Sequence, residues 1–221
     1  MLLIINALNI SLFLSANEID VNQAINAGYP AGLILKGQIF DIAHDEELRI
    51  AFDFDGVIAD DSSEQVYKEN GLPAFIENES KLADQPANAG PLHKLLQQLS
   101  TLQKAELNFL KDHPTYESRL RISIVTARNA PAHKRVVTSL RAWGIDTINE
   151  AFFLGGIEKR KVLEILQPHI FFDDQVTHVE KTANSIASVH IPFGIANKKL
   201  DSDEKLADVE IIKDNQITEK S

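Results

Sequence analysis

The sequence predicts an α/β protein: a Rossmann-like parallel sheet with helices on both faces and a small helical cap inserted after the first acid-ended strand. Three observations carry this. Short apolar runs alternate with stretches of helical period, the pattern of right-handed βαβ units. Three of those runs end in polar residues, at Asp53, Thr126 and Asp173, where ligands gather in open α/β sheets. Between the first two of these ends, helix signals replace alternation over residues 60–118.

In chain order, residues 1–8 (MLLIINAL) lack the positive charges of a signal peptide, and Asn6, Asn9 and Ser11 interrupt the apolar stretch, so the segment reads as a buried strand. Residues 8–15 read as strand, 18–27 as a helix closed by Gly28, and 31–35 and 49–53 as strands. Within 60–118, a helix over 62–70 is closed by Gly71, and a longer one covers 92–110, where leucines recur at helical spacing. After Thr126 come a helix over 131–143 ended by Gly144, strand 151–154, helix 159–166, strand 169–172, helix 175–184 and strand 188–191. Residues 201–221, rich in Asp, Glu and Lys, read as a polar C-terminal tail with one strand at 209–212. The expected division is therefore a core of 1–59 and 119–200, a helical cap of 60–118 and the tail.

Composition fits a compact enzyme. An apolar fraction of 44% over 221 residues suits one core with an inserted subdomain. The chain contains no cysteine, which removes disulfides and thiol catalysis and agrees with a cytoplasmic setting. A formal charge of -10 argues against a nucleic-acid surface. No run approaches the roughly 20 apolar residues of a membrane span.

Chemistry concentrates in Ile50-Ala51-Phe52-Asp53-Phe54-Asp55-Gly56-Val57. Residues two apart on a strand share a side, and glycine lets the chain turn sharply. Asp53 is a competent nucleophile toward phosphorus, and Asp55 is placed to protonate the leaving alcohol and then activate water. Carboxylates this close repel, so a hard cation, Mg²⁺ at a phosphate site, is expected between them. Thr126, ending 122–126, can donate to a phosphoryl oxygen. Lys159-Arg160-Lys161 opens a helix and offers a cation for charge developing on the phosphoryl group. Asp173 and Asp174 can complete the metal shell. Each part also has a plainer reading: acidic turn, helix-start residue, N-cap pair or solvated basic face.

The order D-x-D-G, T-A-R, lysine, D-D resembles the haloacid dehalogenase-like phosphohydrolases. The wording around it is narrower: residues 61–64 (DSSE), Val125-Thr126-Ala127-Arg128, 140–146 (LRAWGID), 151–156 (AFFLGG) and 168–175 (PHIFFDDQ) resemble the cytosolic type I 5′-nucleotidases and their bacterial relatives. The resemblance runs from about residue 12 to 198. It implies Mg²⁺-dependent hydrolysis of nucleoside 5′-monophosphates, with the nucleophile at Asp53, the acid/base at Asp55, the phosphate-binding threonine at Thr126 and the metal-binding acids at Asp173 and Asp174. The metal set so implied is Asp53, Asp55, Asp173 and Asp174, with Asp174 the direct ligand and Asp173 the partner of the lysine. The lysine falls on Lys159, with Lys161 one turn's uncertainty away.

Gly56, Ala127, Arg128, Ser62, Glu64 and Phe75 are the candidates for substrate contact, and Arg128 or His133 can hold phosphate or ribose. Trp143 reads as a core anchor. Three departures stand out: Phe54 occupies the position between the aspartates where those relatives have glycine, Glu158 precedes Lys159 where they tend to have proline, and the chain begins close to its first strand. Relatives typically carry a longer region before that strand; its absence is expected to leave a sheet edge exposed, which predicts a homo-oligomer or lower stability. Other outcomes are a phosphatase of sugar phosphates or other small phosphomonoesters, and a non-catalytic nucleotide-binding protein.

Overall fold

A computed structural model describes residues 2–37 and 45–197. The polar tail and its expected strand at 209–212 lie outside the described residues. In chain order the elements are α1 (Leu2–Ala7), β1 (Phe13–Ser15), α2 (Glu18–Asn26), β2 (Ala31–Ile34), β3 (Leu48–Phe52), α3 (Ser62–Lys81), α4 (His93–Asp112), β4 (Leu120–Thr126), α5 (His133–Ala142), β5 (Glu150–Phe153), α6 (Lys159–Leu166), β6 (Ile170–Asp173), α7 (Val176–Thr182) and β7 (Ser188–His190), followed by a 3-10 turn at Ile195–Asn197. None of the described helices is long and apolar enough to cross a membrane.

The strands form one sheet in the order β1-β2-β7-β6-β3-β4-β5. Five neighbouring pairs are parallel, as expected from the alternation; β2 and β7 are antiparallel, with Leu33 opposite His190. The sheet is therefore mostly parallel but mixed. Alternation fixes direction within each helix-linked unit, here β1-α2-β2, but not between one unit and the next. Gly32 sits at this joint, where a Cβ would lie 2.3 Å from the Val189 side chain.

Period-two alternation sorts the central strands between two cores. Ile50, Phe52, Ile122 and Ile124 face one cluster, filled by Leu92, Leu95 and Leu96 at the start of α4 and Val136 and Leu140 of α5. Ala51, Val125 and Phe171 face the other, closed by Leu163 of α6 and by Ile186. Phe52 and Phe172 stack with ring centroids 5.1 Å apart. Each such ring, fully buried, contributes on the order of 1.5–3 kcal/mol by removal from water.

Residues 2–7 are helical, not a buried strand. Ile5 is buried and Leu2 packs on the same core, while Leu3 and Ile4 are exposed. An i, i+3 pair satisfies one apolar stripe of a helix, and Asn9 at φ 50 ends the segment in the left-handed region. The first strand consequently shrinks to Phe13–Ser15.

Helix α3 continues well past the stop expected at Gly71. That glycine has φ 80 and ψ 179, so it kinks the helix, and Pro73 follows without ending it. Proline is tolerated in a first turn, which is where Pro73 stands once the kink restarts the helix. The second half has no apolar stripe to betray it, since the buried residues of α3 are Ser63 and Glu79. Helix α4 packs on the sheet: besides its leucines, Gln103 donates to Leu120 O (3.2 Å) and Asn149 Oδ1 (2.7 Å), and Ser100 meets Thr147 at 2.8 Å.

Candidate active site

Parallel pairing carries Asp53, Thr126 and Asp173 to one end of the sheet. β3 lies between β4 and β6, with Phe52 level with both Ile124 and Phe172, and the Asp53 amide donates to Phe172 O at 2.8 Å. Past Asp53 the chain turns tightly, with the amides of Ile58 and Ala59 donating to Phe54 O at 3.0 and 2.8 Å. Gly56 sits in this turn at φ 69, and a Cβ there would come 2.5 Å from Asp174 Oδ2. Glycine is thus required twice, by backbone conformation and by the approach of the carboxylate.

A buried ion cluster lies under the turn. The Lys159 ammonium is 2.8 Å from Asp53 Oδ2 and 2.7 Å from Asp173 Oδ2. Burial works against its charge, but Asp173 and Asp53 outweigh it and raise the lysine's pKa above its ordinary value. Lys161, the alternative lysine, is exposed; of the two, Lys159 is the one that meets these acids. Asp173 also accepts from the Gln175 amide (2.8 Å) and stands 3.1 Å from His178 Nδ1. Burial opposes its ionisation, yet Lys159 and His178 hold its pKa below the usual range.

Asp53 and Asp174 both shift in the direction opposite to Asp173. Asp53 is 5% exposed and accepts from the Phe54 amide at 2.7 Å. Burial pushes its pKa up to about 7, with Lys159 pulling down and Asp173 and Asp55 pushing further up. Asp174 is 1% exposed, and neither of its oxygens has a hydrogen-bond partner among the described residues. Burial, reinforced by Asp53, Asp173 and Glu64, raises its pKa to about 10. A buried carboxylate without a partner is costly, a cost that either a proton or a bound cation offsets. One carboxylate oxygen each from Asp53, Asp173 and Asp174 lie within 4.8 Å of one another. An all-oxygen donor set of this kind fits a hard divalent ion such as Mg²⁺, Mn²⁺ or Ca²⁺.

Above the cluster opens a cleft of about 380 Å³. Asp53, Asp55, Thr126, Ala127 and Arg128 line it from the sheet side; Glu64, Tyr67, Leu72 and Phe75 line it from α3. Thr126 is 1% exposed, and its Oγ1 accepts from the Arg128 amide at 3.3 Å. Arg128 grips Asp55 with two hydrogen bonds of 2.7 Å, from Nε and Nη2. The Asp55 carboxylate is therefore turned to the guanidinium and is not among the three clustered acids.

Phe75 meets Tyr67 edge-on at 6.2 Å, and the Arg128 guanidinium carbon lies 5.5 Å from its ring centroid. Glu64 reaches Lys68 with one oxygen, at 3.3 Å, and its Oε2 is buried without a partner among the described residues. Ser62 does not line the cleft; its hydroxyl donates to Asp60 Oδ1 at 2.7 Å. His133 is also outside the cleft lining, its ring 5.5 Å from that of Phe153. Trp143 packs on Phe54 at 6.1 Å and His93 at 4.6 Å.

Sequence reasoning missed Glu79, Arg135 and His178. His178 lies one turn beyond the acidic pair, a spacing that a helix starting at Gln175 makes readable. Glu79 stands in a polar run, 77–81, with no such signal.

A family model described as 5′-nucleotidase matches residues 2–198. Among curated proteins, human cytosolic 5′-nucleotidase 1B is 37% identical over 196 residues, which is 87% of this chain and 30% of that relative. The chain thus spans less than a third of the length of that curated relative. No solved structure gives a significant match.

Proposed function

The chain belongs to the 5′-nucleotidase family, and from that premise we propose that it is a Mg²⁺-dependent, cytoplasmic phosphomonoesterase that hydrolyses nucleoside 5′-monophosphates to nucleoside and phosphate. The observation that carries the reading is the Asp53-Lys159-Asp173 cluster, with orphaned Asp174 beside it, at the floor of a cleft of about 380 Å³. Within residues 60–118, α3 serves as the cap and supplies the wall facing the site, while α4 packs on the sheet.

Asp53 attacks phosphorus while the bond to the 5′ oxygen breaks, and Asp55 donates its proton to the departing alkoxide. Asp53 then carries an aspartyl-phosphate. Asp55, now the base, takes a proton from water; the water oxygen attacks phosphorus, inorganic phosphate leaves and Asp53 is restored. Lys159 and the Thr126 hydroxyl stabilise the equatorial oxygens, and Lys159 also keeps Asp53 in place for attack. Asp53 and Asp174 would hold the Mg²⁺, which would supply positive charge against the phosphoryl oxygens. Asp173 acts through Lys159. Ala127 lines the phosphate's position and Gly56 shapes the turn beside Asp174 without lining the cleft; Arg128 and Glu64 face the sugar, and Phe75 with Tyr67 offers an aromatic surface to the base. Ser62 supports the Asp60 turn at the entrance of α3.

Phosphate release from nucleoside 5′- and 3′-monophosphates, sugar phosphates and p-nitrophenyl phosphate, with Mg²⁺ or EDTA, tests the proposal. Metal-dependent preference for 5′-nucleotides is expected. In the same panel Phe75→Ala is expected to raise KM for nucleotides roughly tenfold through loss of stacking and leave p-nitrophenyl phosphate within about twofold. Activity confined to sugar phosphates discards the nucleotide substrate, and equal KM changes on both esters discard the Phe75 role.

A further inference from the structure

Glu79 is 0% exposed, a burial that a carboxylate adopts only when its charge is met. Both oxygens are engaged. Oε1 accepts from Ser63 Oγ (2.8 Å), Arg135 Nη1 (2.8 Å) and Asn78 Nδ2 (3.3 Å). Oε2 accepts from Arg128 Nη1. Arg128 is divided between two acids, Nη1 to Glu79 and Nε with Nη2 to Asp55. Its guanidinium carbon also lies 5.3 Å from the Phe54 ring centroid and 5.5 Å from that of Phe75. A chain of charge-assisted bonds thus runs from the second half of α3 through Arg128 to Asp55.

We propose that Glu79 is a positioning residue of the reaction: it anchors Arg128, which in turn aims the Asp55 carboxyl at the leaving oxygen. The inference rests on the phosphohydrolase reading above. Both Asp55 oxygens are held by Arg128, so movement of the carboxyl toward substrate pulls on those two bonds. A guanidinium held only by Asp55 is then free to rotate away. Held also by Glu79, and by Ala132 O at 3.3 Å, it stays and the contact re-forms. Because Glu79 stands on the helix that walls the cleft, the position of α3 and the aim of Asp55 are set together.

The leaving group separates this role from simple support of the fold. An alkoxide leaves only with a proton, whereas p-nitrophenolate leaves without one, and kcat/KM reports steps through bond cleavage. Glu79→Gln is expected to lower kcat/KM for a nucleoside 5′-monophosphate at least about 10-fold and for p-nitrophenyl phosphate less than about threefold. In an Asp55→Asn background it is expected to add nothing on either ester.

Where Glu79→Gln does not fold, Glu79→Asp carries the test. It keeps the charge but withdraws it by one methylene, beyond simultaneous reach of Arg128 and Arg135, and the same selective loss is expected. An equal fall on both esters, or a full further loss in the Asp55→Asn background, overturns the positioning role. Failure of the parent protein to hydrolyse either ester overturns the phosphohydrolase reading and this inference together.

Discussion

Asp53→Asn is expected to abolish turnover, lowering kcat/KM for every phosphomonoester by on the order of 10⁴ or more, because the amide cannot form the covalent intermediate. The substitution is nearly isosteric. Asp53 is buried, accepts from the Phe54 amide at 2.7 Å and lies 2.8 Å from Lys159. An amide oxygen reproduces the first contact and leaves Lys159 with Asp173, 2.7 Å away. Nucleotide binding is therefore expected to persist within a few fold, as read by equilibrium dialysis. Unchanged turnover contradicts the nucleophile assignment.

The second large effect belongs to Asp174. Its two oxygens are buried and unpartnered among the described residues, and it faces Asp53, Asp173 and Glu64 against one lysine. Asp174→Asn is expected to remove Mg²⁺ dependence together with activity, a loss of about 10³-fold or more, since both the ligand and its charge go.

Stability is expected to move the other way. Burial raises the pKa of Asp174 to about 10 from 3.8, so between those values the metal-free native state holds a proton that the unfolded state has lost. Its contribution to stability is then unfavourable and grows as pH rises across that window. Asp53, raised to about 7, adds the same sign over the lower part. Asp173, whose pKa is lowered from 3.8, acts only below that window, where acid removes its stabilising contribution.

In EDTA the parent protein is expected to lose thermal stability from weakly acidic to alkaline pH, and Mg²⁺ to stabilise it most at high pH. Asp174→Asn is expected to flatten the EDTA profile, raise Tm at pH 8 and cancel the response to Mg²⁺. Thermal unfolding with and without metal reads all three. A variant with the parental profile and an intact response contradicts the metal role.

The sheet was legible because its signals are local. Each of Asp53, Thr126 and Asp173 ends an apolar run, and parallel pairing brings run ends together without further information. The lysine that meets the acids was legible to within a turn: Lys159 and Lys161 share the helix start, and only burial between Asp53 and Asp173 separates them. What escaped depends on contacts distant in sequence. The antiparallel joint of β2 with β7 follows from how two units meet, which periodicity does not encode. Residues 2–7 carry a continuous apolar string that suits strand or helix alike, and Ile5 with Leu2 on one stripe decides for helix.

The arginine after Ala127 stands out in the sequence, but its grip on Asp55 does not, because that bond spans 73 positions. Glu79 is the clearest omission. An acid in a polar helix looks solvated, and the meaning of this one arises only when Arg128 and Arg135 arrive from 49 and 56 residues away.

Rapid acid quench during steady turnover of a nucleoside 5′-monophosphate with Mg²⁺, followed by peptide mass mapping, tests the nucleophile most directly. The peptide containing Asp53 is expected to carry one added phosphoryl group, sensitive to hydroxylamine and absent from Asp53→Asn. Full turnover without any such adduct, or an adduct on another residue, would contradict covalent catalysis by Asp53.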